Sequence, residues 1–227
     1  MWALSTLTRH AKRGEMNSTT KSAAPRSYHH GDLRQALIDA AVAIVTDEQN
    51  WNFSLREVAR RAGVSHNAPY NHFPEKRDLL DAVAAVGFDT LRRDMSSAEK
   101  DKRNAGSAML AIAGAYVAFA ANNPALYRLM FGPDLAEPNG TRPELAEASG
   151  ASAKAILRDV VAKGARDGYF AMSHQSEASI SMAVLSAWSI VHGLSMLVID
   201  RKSDIEIAPG VLVEGVMTHL IDGLRRR

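Results

Sequence analysis

The stretch Ser54–Leu80 constrains the fold of this chain more than any other part of its 227 residues. Its first half carries four apolar residues at helical spacing, which predicts a helix with one buried face. Those residues are Leu55, Val58, Ala59 and Ala62. Gly63 then ends the helix, because glycine accepts the left-handed backbone conformation that a helix C-terminus often needs. Ser65 is placed to cap a second short helix over about residues 66–72, and the pair forms a helix-turn-helix.

The second helix of this motif is predicted to be polar on its exposed side. In a helix-turn-helix this helix enters the major groove of DNA. Pro69 falls in its first turn, where a missing N–H is best tolerated, and restricts Ala68, so the helix is expected to begin irregularly. The residues that it exposes are His66, Asn67, Tyr70, Asn71 and His72.

The run AGVSHNAPYNHFPEKRDLL resembles the DNA-binding segment of the tetracycline-repressor (TetR) family of bacterial transcription regulators. A bare helix-turn-helix pattern is a weak signal, whereas here several features occur together in a fixed order. The matching elements are Ala59, Gly63-Val64-Ser65, Tyr70-Asn71-His72-Phe73, Lys76 and Leu79-Leu80. The resemblance covers about residues 28–80, and the Ala68-Pro69-Tyr70 form resembles one subgroup of the family. It implies that the head binds double-stranded DNA.

Two sets of side chains in this head are assigned by the chemistry that each offers to DNA. His66, Asn67 and Asn71 are assigned to base edges, because an Asn amide can pair with adenine in a bidentate way. The set assigned to the phosphate backbone is Ser54, Arg56, Ser65, Tyr70, His72 and Lys76. Arg26, just before the first helix, belongs either to a solvated leader or to a basic arm that touches DNA.

Charge is distributed unevenly along a chain whose net charge is only +2. Residues 1–80 hold 11 Lys and Arg against 8 Asp and Glu, whereas residues 81–227 hold 16 against 17. This modest basic bias lies in the part that would meet phosphates. The absence of cysteine excludes disulfides, thiolate metal sites and cysteine catalysis, and it fits an intracellular protein.

Neither a signal peptide nor a membrane span is expected. The N-terminus lacks a hydrophobic region of sufficient length, and no apolar run approaches the ~20 residues of a membrane span. Residues 1–27 show no periodicity and are predicted to be a flexible tail. No metal site is predicted at His29-His30, because adjacent histidines point to different sides and no nearby group completes a site.

The fold class predicted for the whole chain is all-α, because no strand-like alternation persists, and roughly nine helices fit this length. An N-terminal three-helix helix-turn-helix head over residues 28–74 is joined to a C-terminal helical bundle over residues 75–227, for ligand binding and dimerisation. Asn50 is expected to supply a left-handed cap after the first helix, and Ser173 to cap a later one. The helices are expected at about 31–47, 75–96, 108–121, from 124, 143–167, 173–200 and 209–225.

A second group of candidate functional residues lies far from the head in the sequence. Trp188 and His192 are four residues apart and share a helix face, and Gly193 permits close approach of another helix. The run resembles the C-terminal effector domain, of WHG type, in the same TetR subgroup. His192 either hydrogen-bonds a ligand or satisfies a buried backbone carbonyl, and the second interpretation is favoured.

The resemblance implies that the body binds a small effector between its helices. Adaptable methionines suit an apolar ligand, so Met182 and Met196 are further candidates for the cavity wall. The residues assigned to the effector are Tyr116, Phe119, Tyr127, Met130, Phe131, Trp188 and His192. Two apolar stripes, Ile180–Val198 and Val211–Leu224, are expected to pair with a second copy in a four-helix dimer interface.

No enzyme motif occurs in the sequence, which lacks GxSxG, GxxxxGK[ST], GxGxxG and HExxH, so neither catalytic residues nor a cofactor are expected. The function predicted is a ligand-responsive, dimeric repressor that binds a pseudo-palindromic operator in the cytoplasm, on the nucleoid. The alternative is a helical small-molecule-binding or protein-interaction module without DNA binding. Retention of Tyr70, His72 and Lys76 favours the DNA-binding function.

Overall fold

A computed structural model describes residues 30–136, 143–202 and 208–225. Arg26, His29 and the predicted tail lie outside the described residues, and so do residues 137–142. Throughout the described ranges the regular structure is helical, which confirms the all-α prediction. The α-helices are α1 His30–Glu48, α2 Leu55–Arg61, α3 Lys76–Glu99, α4 Ala105–Asn122, α5 Pro124–Phe131, α6 Glu144–Arg166, α7 Glu177–Ile199 and α8 Pro209–Arg225. The described chain thus has eight α-helices where about nine were predicted, and two short 3-10 helices, Ala68–Asn71 and Pro133–Leu135.

Helix ends differ from the prediction where a neighbouring residue takes over the capping role. The left-handed residue after α1 is Gln49, with φ 54°, and not Asn50, whose side-chain amide instead donates to the carbonyl of Glu48. The cap of α7 is Ser176, whose Oγ accepts from the N–H of Ser179 at 3.2 Å, and not Ser173. Sequence composition marks these turns but does not decide between polar neighbours.

The head and the body share one hydrophobic core. Phe53 and Phe73 are buried in the head, and Trp51 packs half-buried against the same core. The same cluster continues through α3 into the body, where Tyr127 and Leu129 are fully buried. Since α3 packs against α1, α4, α5 and α6, it is the element that both parts have in common.

A buried carboxylate fixes α3 to the start of α6. Asp81, on α3, accepts hydrogen bonds from the backbone N–H groups of Leu145 at 3.3 Å and Ala146 at 2.8 Å. These two N–H groups lie in the first turn of α6, where no intrahelical acceptor exists. Pro143 precedes α6 and makes no side-chain cap, so Asp81 performs the capping role from another helix.

A second hydrogen bond ties the beginning of α3 to the segment before α6. The guanidinium of Arg77 donates to the backbone carbonyl of Leu135, with 2.7 Å between Nη2 and O. Leu135 is fully buried in the second 3-10 helix. The end of α3 nearest the head is therefore attached to the body at two places, through Arg77 and through Asp81.

The apolar stripe predicted on α7 faces the protein's own core, so its assignment to a dimer interface was wrong in these residues. Ile180, Val184, Ala187, Val191 and Leu194 are all buried within one chain, and Val198 packs half-buried against the core. The large apolar residues exposed on α7 and α8 are Met182, Leu185, Leu197, Val211 and Val216, of which Val211 and Val216 belong to the stripe predicted on the last helix.

Two helices, α4 and α7, are long and apolar enough to cross a membrane by length and composition, contrary to the expectation that no such stretch exists. This evidence is weak, because the core helix of a soluble protein passes the same test. Most of the α4 segment is buried inside the protein, whereas α7 has one apolar side in the core and a second that is exposed.

Replacing Asp81 with alanine should lower the free energy of unfolding by about 2–4 kcal/mol, because two N–H groups in the first turn of α6 lose their acceptor. Urea denaturation of the variant and the parent protein measures this difference. Asp94→Ala, at an exposed position further along α3, is the matched control and should change stability by less than about 0.5 kcal/mol. Equal effects of the two substitutions would contradict the capping role.

Candidate nucleic-acid interface and effector cavity

The turn of the predicted helix-turn-helix forms as the sequence indicates. Ser54 caps α2, with its Oγ accepting from the N–H of Glu57 at 3.2 Å. Gly63 has φ +69°, and the N–H of Val64 donates to the carbonyl of Ala59 at 3.0 Å. The left-handed glycine therefore reverses the chain, and Ala59 leaves the space for the crossing.

The segment after this turn is shorter than the predicted helix at 66–72. It is a 3-10 helix, Ala68–Asn71, in which Pro69 is buried. Pro69 restricts the backbone of Ala68, and Asn67 precedes the helix without a capping side chain, so the segment begins irregularly. The N–H of Ala68 donates to the backbone carbonyl of Ser65, a role that differs from the predicted side-chain cap.

Burial of Pro69 turns the polar residues of this segment to solvent. Tyr70 is 47% exposed, and His72 is half-buried beside the fully buried Phe73. Of the nine described residues assigned to DNA, seven are exposed: Ser54, Arg56, Ser65, His66, Asn67, Tyr70 and Asn71. The head thus presents amide, imidazole and phenol groups together on one short segment.

Two cations of the head lie over aromatic rings. The ammonium of Lys76 is 5.1 Å from the ring centroid of Phe53, and the guanidinium of Arg34 is 5.1 Å from that of Phe73. Partial burial lowers the pKa of Lys76 below its ordinary value. Sequence reasoning missed Arg34, which lies on α1 and meets Phe73 only because the chain folds back. The aromatic rings hold both charges at fixed positions beside the 3-10 helix.

The body contains a cavity of about 340 Å³ that is partly open to solvent. Helices α3, α4, α6 and α7 supply most of its wall, and α5 and α8 contribute one residue each. Its lining is predominantly apolar and includes Phe88, Leu91, Met95, Met109, Ile112 and Leu157. A largely apolar cavity of this size with a few polar groups is typical of a small-molecule site.

Of the seven residues assigned to the effector, Tyr116, Phe131 and Trp188 line the cavity. The other four are outside its lining: Phe119 and Met130 are buried in the core, and Tyr127 and His192 lie behind Tyr116. Neither methionine considered from the sequence lines it, since Met182 is 63% exposed and Met196 is half-buried elsewhere on α7.

Tyr116, Tyr127 and His192 form a hydrogen-bonded cluster behind the cavity wall. The hydroxyl of Tyr127 is 2.7 Å from His192 Nδ1 and 3.1 Å from the hydroxyl of Tyr116, and Tyr116 is 3.4 Å from the same nitrogen. Burial raises the pKa of both tyrosines, so their hydroxyls stay protonated at neutral pH. The favoured expectation of a structural role for His192 fits this geometry, although the observed partners are tyrosine hydroxyls.

Sequence reasoning missed the polar residues at the cavity edge, Lys154 and Glu147 on α6. The ammonium of Lys154 is 5.1 Å from the ring centroid of Trp188. Helical periodicity places these charges on the exposed side of a helix but does not show which other helix they approach. Within the described residues, no three His, Asp or Glu side chains cluster to hold a metal ion.

A helix-turn-helix head on a helical body with an internal cavity is the architecture of a DNA-binding transcriptional regulator. Residues 37–83 match the family model described as bacterial regulatory proteins, tetR family. Residues 109–220 match the model of the tetracyclin repressor-like C-terminal domain. The chain therefore belongs to the TetR family.

Individual relatives agree with this assignment. An uncharacterized HTH-type transcriptional regulator from Haemophilus influenzae is 34% identical over 121 residues, which are 52% of this chain and 57% of that protein. The chain thus spans little more than half the length of this relative. Among solved structures, a protein of unknown function from Rhodococcus sp. RHA1 has a TM-score of 0.75 and 29% identity, covering 89% of this chain and 100% of that one. FadR from Bacillus subtilis, solved in complex with stearoyl-CoA, has a TM-score of 0.65 at 16% identity, covering 83% and 98%.

Replacing Tyr127 with phenylalanine should lower the free energy of unfolding by about 1–3 kcal/mol, because His192 Nδ1 loses its 2.7 Å partner in the core. Thermal or urea unfolding measures the change. Tyr70→Phe removes the same hydroxyl from an exposed residue and should leave stability within about 0.5 kcal/mol. A Tyr127→Phe protein as stable as its Tyr70→Phe control would show that the buried cluster contributes nothing.

Proposed function

We propose that this protein is a ligand-responsive, dimeric repressor that binds a pseudo-palindromic DNA operator. The observation that carries the proposal is the segment Ala68–Asn71, in which Pro69 is buried and the neighbouring polar side chains face solvent. In this proposal the head, residues 28–74, binds DNA, and the body, residues 75–227, binds the effector and forms the dimer. The APY form of the head and Trp188 with His192 in the body support membership of the APY and WHG subgroup.

In the proposed complex, His66, Asn67 and Asn71 contact base edges. The phosphate-contacting set is the one assigned from the sequence, with the addition of Arg34, which lies over Phe73 beside the 3-10 helix. Exposure of the three base-contacting residues supports this division, because a side chain must leave its own core to enter a groove.

The proposed response to a ligand runs through α3. Phe88, Leu91 and Met95 on this helix line the cavity, while its first turns carry Arg77 and Asp81, which attach it to the body next to the head. A ligand that binds one position of α3 better than another changes the orientation of the head by population shift. FadR from Bacillus subtilis was solved with stearoyl-CoA, which supports an effector role for a body of this fold.

The proposed dimer forms through the exposed side of α7 and α8. Five large apolar residues lie exposed there, namely Met182, Leu185, Leu197, Val211 and Val216. Gly193, Gly215 and Gly223 on the same two helices have open space in front of their Cα atoms, which allows close approach of partner helices. A second copy would cover this apolar side and place two heads for two half-sites. We place the protein in the cytoplasm, on nucleoid DNA.

Purified protein should enrich specific genomic DNA fragments in a selection at low salt, and the affinity for the enriched fragment should fall steeply as salt rises. Failure to enrich any fragment, while the cavity still binds small molecules, would favour the alternative of a helical binding module without DNA binding.

Variants of the head test the assignment of individual DNA contacts. Asn67→Ala and Asn71→Ala should relax sequence preference. Lys76→Met keeps the side-chain stem over Phe53 and should weaken all sequences about equally, reducing the salt slope by about one. Identical behaviour of the three variants would contradict the proposed division of contacts.

The double substitution Leu185→Lys and Val216→Lys should convert the dimer to a monomer, because it places two charges per chain in the proposed apolar interface. Size-exclusion chromatography with light scattering measures the mass. Leu145→Lys is the control, since Leu145 is equally exposed, at 43%, but lies on α6. A doubly substituted protein that stays dimeric would rule out this face.

A further inference from the structure

The polar groups of the cavity are concentrated on α4, α6 and α7. Of the described residues that line it, Tyr116, Glu147, Lys154 and Trp188 carry polar side-chain atoms, and the others are apolar or small. Lys154 lies over the ring of Trp188, whereas Tyr116 and Glu147 line other parts of the same cavity. The cavity therefore has one polar group at Lys154 and Trp188, which we call the polar end, and a separate carboxylate at Glu147, and most of its remaining lining is apolar.

The polar end carries a positive charge without a carboxylate partner. Among the described residues, Lys154 contacts the ring of Trp188 and forms no ion pair. The hydroxyl of Tyr116 stays protonated because burial raises its pKa, but its hydrogen-bond partners are Tyr127 and His192. A protonated ammonium at the edge of a largely apolar cavity is an arrangement that binds a carboxylate or a similar small anion.

A cationic ligand fits this end poorly. The aromatic face that would receive it, that of Trp188, is already occupied by the ammonium of Lys154. Glu147 is the nearest acidic lining residue on the same helix, but it precedes Lys154 by seven residues, which is about 10.5 Å along the helix axis. Attraction to Glu147 would therefore act at the opposite end of the α6 wall from Trp188.

The size of the cavity limits the apolar part of the ligand. A cavity of about 150 Å³ lined by aliphatic and aromatic side chains holds one benzene ring. The cavity here, at about 340 Å³, has roughly twice that space. It accommodates a body of about two fused rings or a chain of roughly eight to twelve carbons.

We propose that the effector is a medium-sized organic monocarboxylate whose carboxylate meets the ammonium of Lys154. Its apolar body lies against Phe88, Leu91 and Leu157, so that ligand and α3 are in direct contact. This inference rests on the proposed function in taking the cavity as the effector site, but the binding itself requires no DNA.

Isothermal titration of the full chain without DNA tests the proposal with three probes of one shape, decanoate, decan-1-ol and decylammonium, each below its micellar concentration. The rigid counterparts 2-naphthoate and 2-naphthol test the ring-shaped body. At least one carboxylate should bind with a stoichiometry of one per chain and at least about tenfold more tightly than its neutral analogue, as expected for one charge-assisted contact. Decylammonium should bind more weakly than both ten-carbon analogues.

Variants assign the contact to its residue. Lys154→Met keeps a stem of similar length over Trp188 and should weaken the carboxylate about tenfold while leaving the alcohol unchanged. Glu147→Gln, on the same wall, is the matched control and should not weaken the carboxylate. Both positions are exposed, so the variants should unfold at the same temperature as the parent.

Equal affinity for carboxylate and alcohol, no loss in Lys154→Met, tighter binding of the ammonium probe, or no binding of any probe would each overturn the proposal. These outcomes leave the proposed function separately testable, because enrichment of genomic DNA is measured on the ligand-free protein. Enrichment without carboxylate binding refutes the ligand class alone, whereas carboxylate binding without enrichment refutes DNA binding alone.

Discussion

The buried carboxylate of Asp81 is the interaction on which the rest of this structure depends most. The first turn of α6 leaves N–H groups without intrahelical acceptors, and its preceding residue, Pro143, supplies no side-chain acceptor. Asp81 satisfies two of these groups from α3. Leaving these N–H groups unpaired would cost free energy, so the hydrogen bonds of Asp81 fix α3 against α6. They thereby also fix the positions of Phe88 and Leu91 in the cavity wall.

The same helix carries the head. Lys76, in the first turn of α3, lies over Phe53, and Arg77 holds the carbonyl of Leu135. Head and cavity are thus joined by one continuous α-helix with polar attachments near one end and apolar contacts at the other. Because α3 contacts both the cavity and the head, a ligand that shifts α3 also shifts the head, which is the physical basis of the proposed response to a ligand.

Much of the fold could be predicted because local rules governed it. Gly63 adopts the left-handed conformation that its place after α2 requires, and the next helix is short and irregular, as the restriction of Ala68 by Pro69 predicts. Prediction failed where two polar neighbours compete for one role, as with Gln49 and Asn50 after α1, where composition does not decide the cap.

The candidate sites were predictable only in part, for a tertiary reason. Periodicity identified the apolar residues of α7 but not what covers them, so Ile180 and Val184 were assigned to a partner although they pack within the chain. The contacts that matter join residues far apart in the sequence. Lys154 contacts Trp188, 34 residues away, and Arg34 contacts Phe73, 39 residues away. Asp81 accepts a hydrogen bond from Ala146, 65 residues away. No local pattern encodes such contacts.

The central claim is that two heads, each fixed to its own body through α3, bind one operator together. Hydroxyl-radical footprinting of the full chain on its most enriched DNA fragment tests this most directly. The account predicts two protected patches on the same face of the duplex, centred about one helical turn, ~34 Å, apart and related by approximate two-fold symmetry. A single protected patch, or patches without a two-fold relationship, would contradict it.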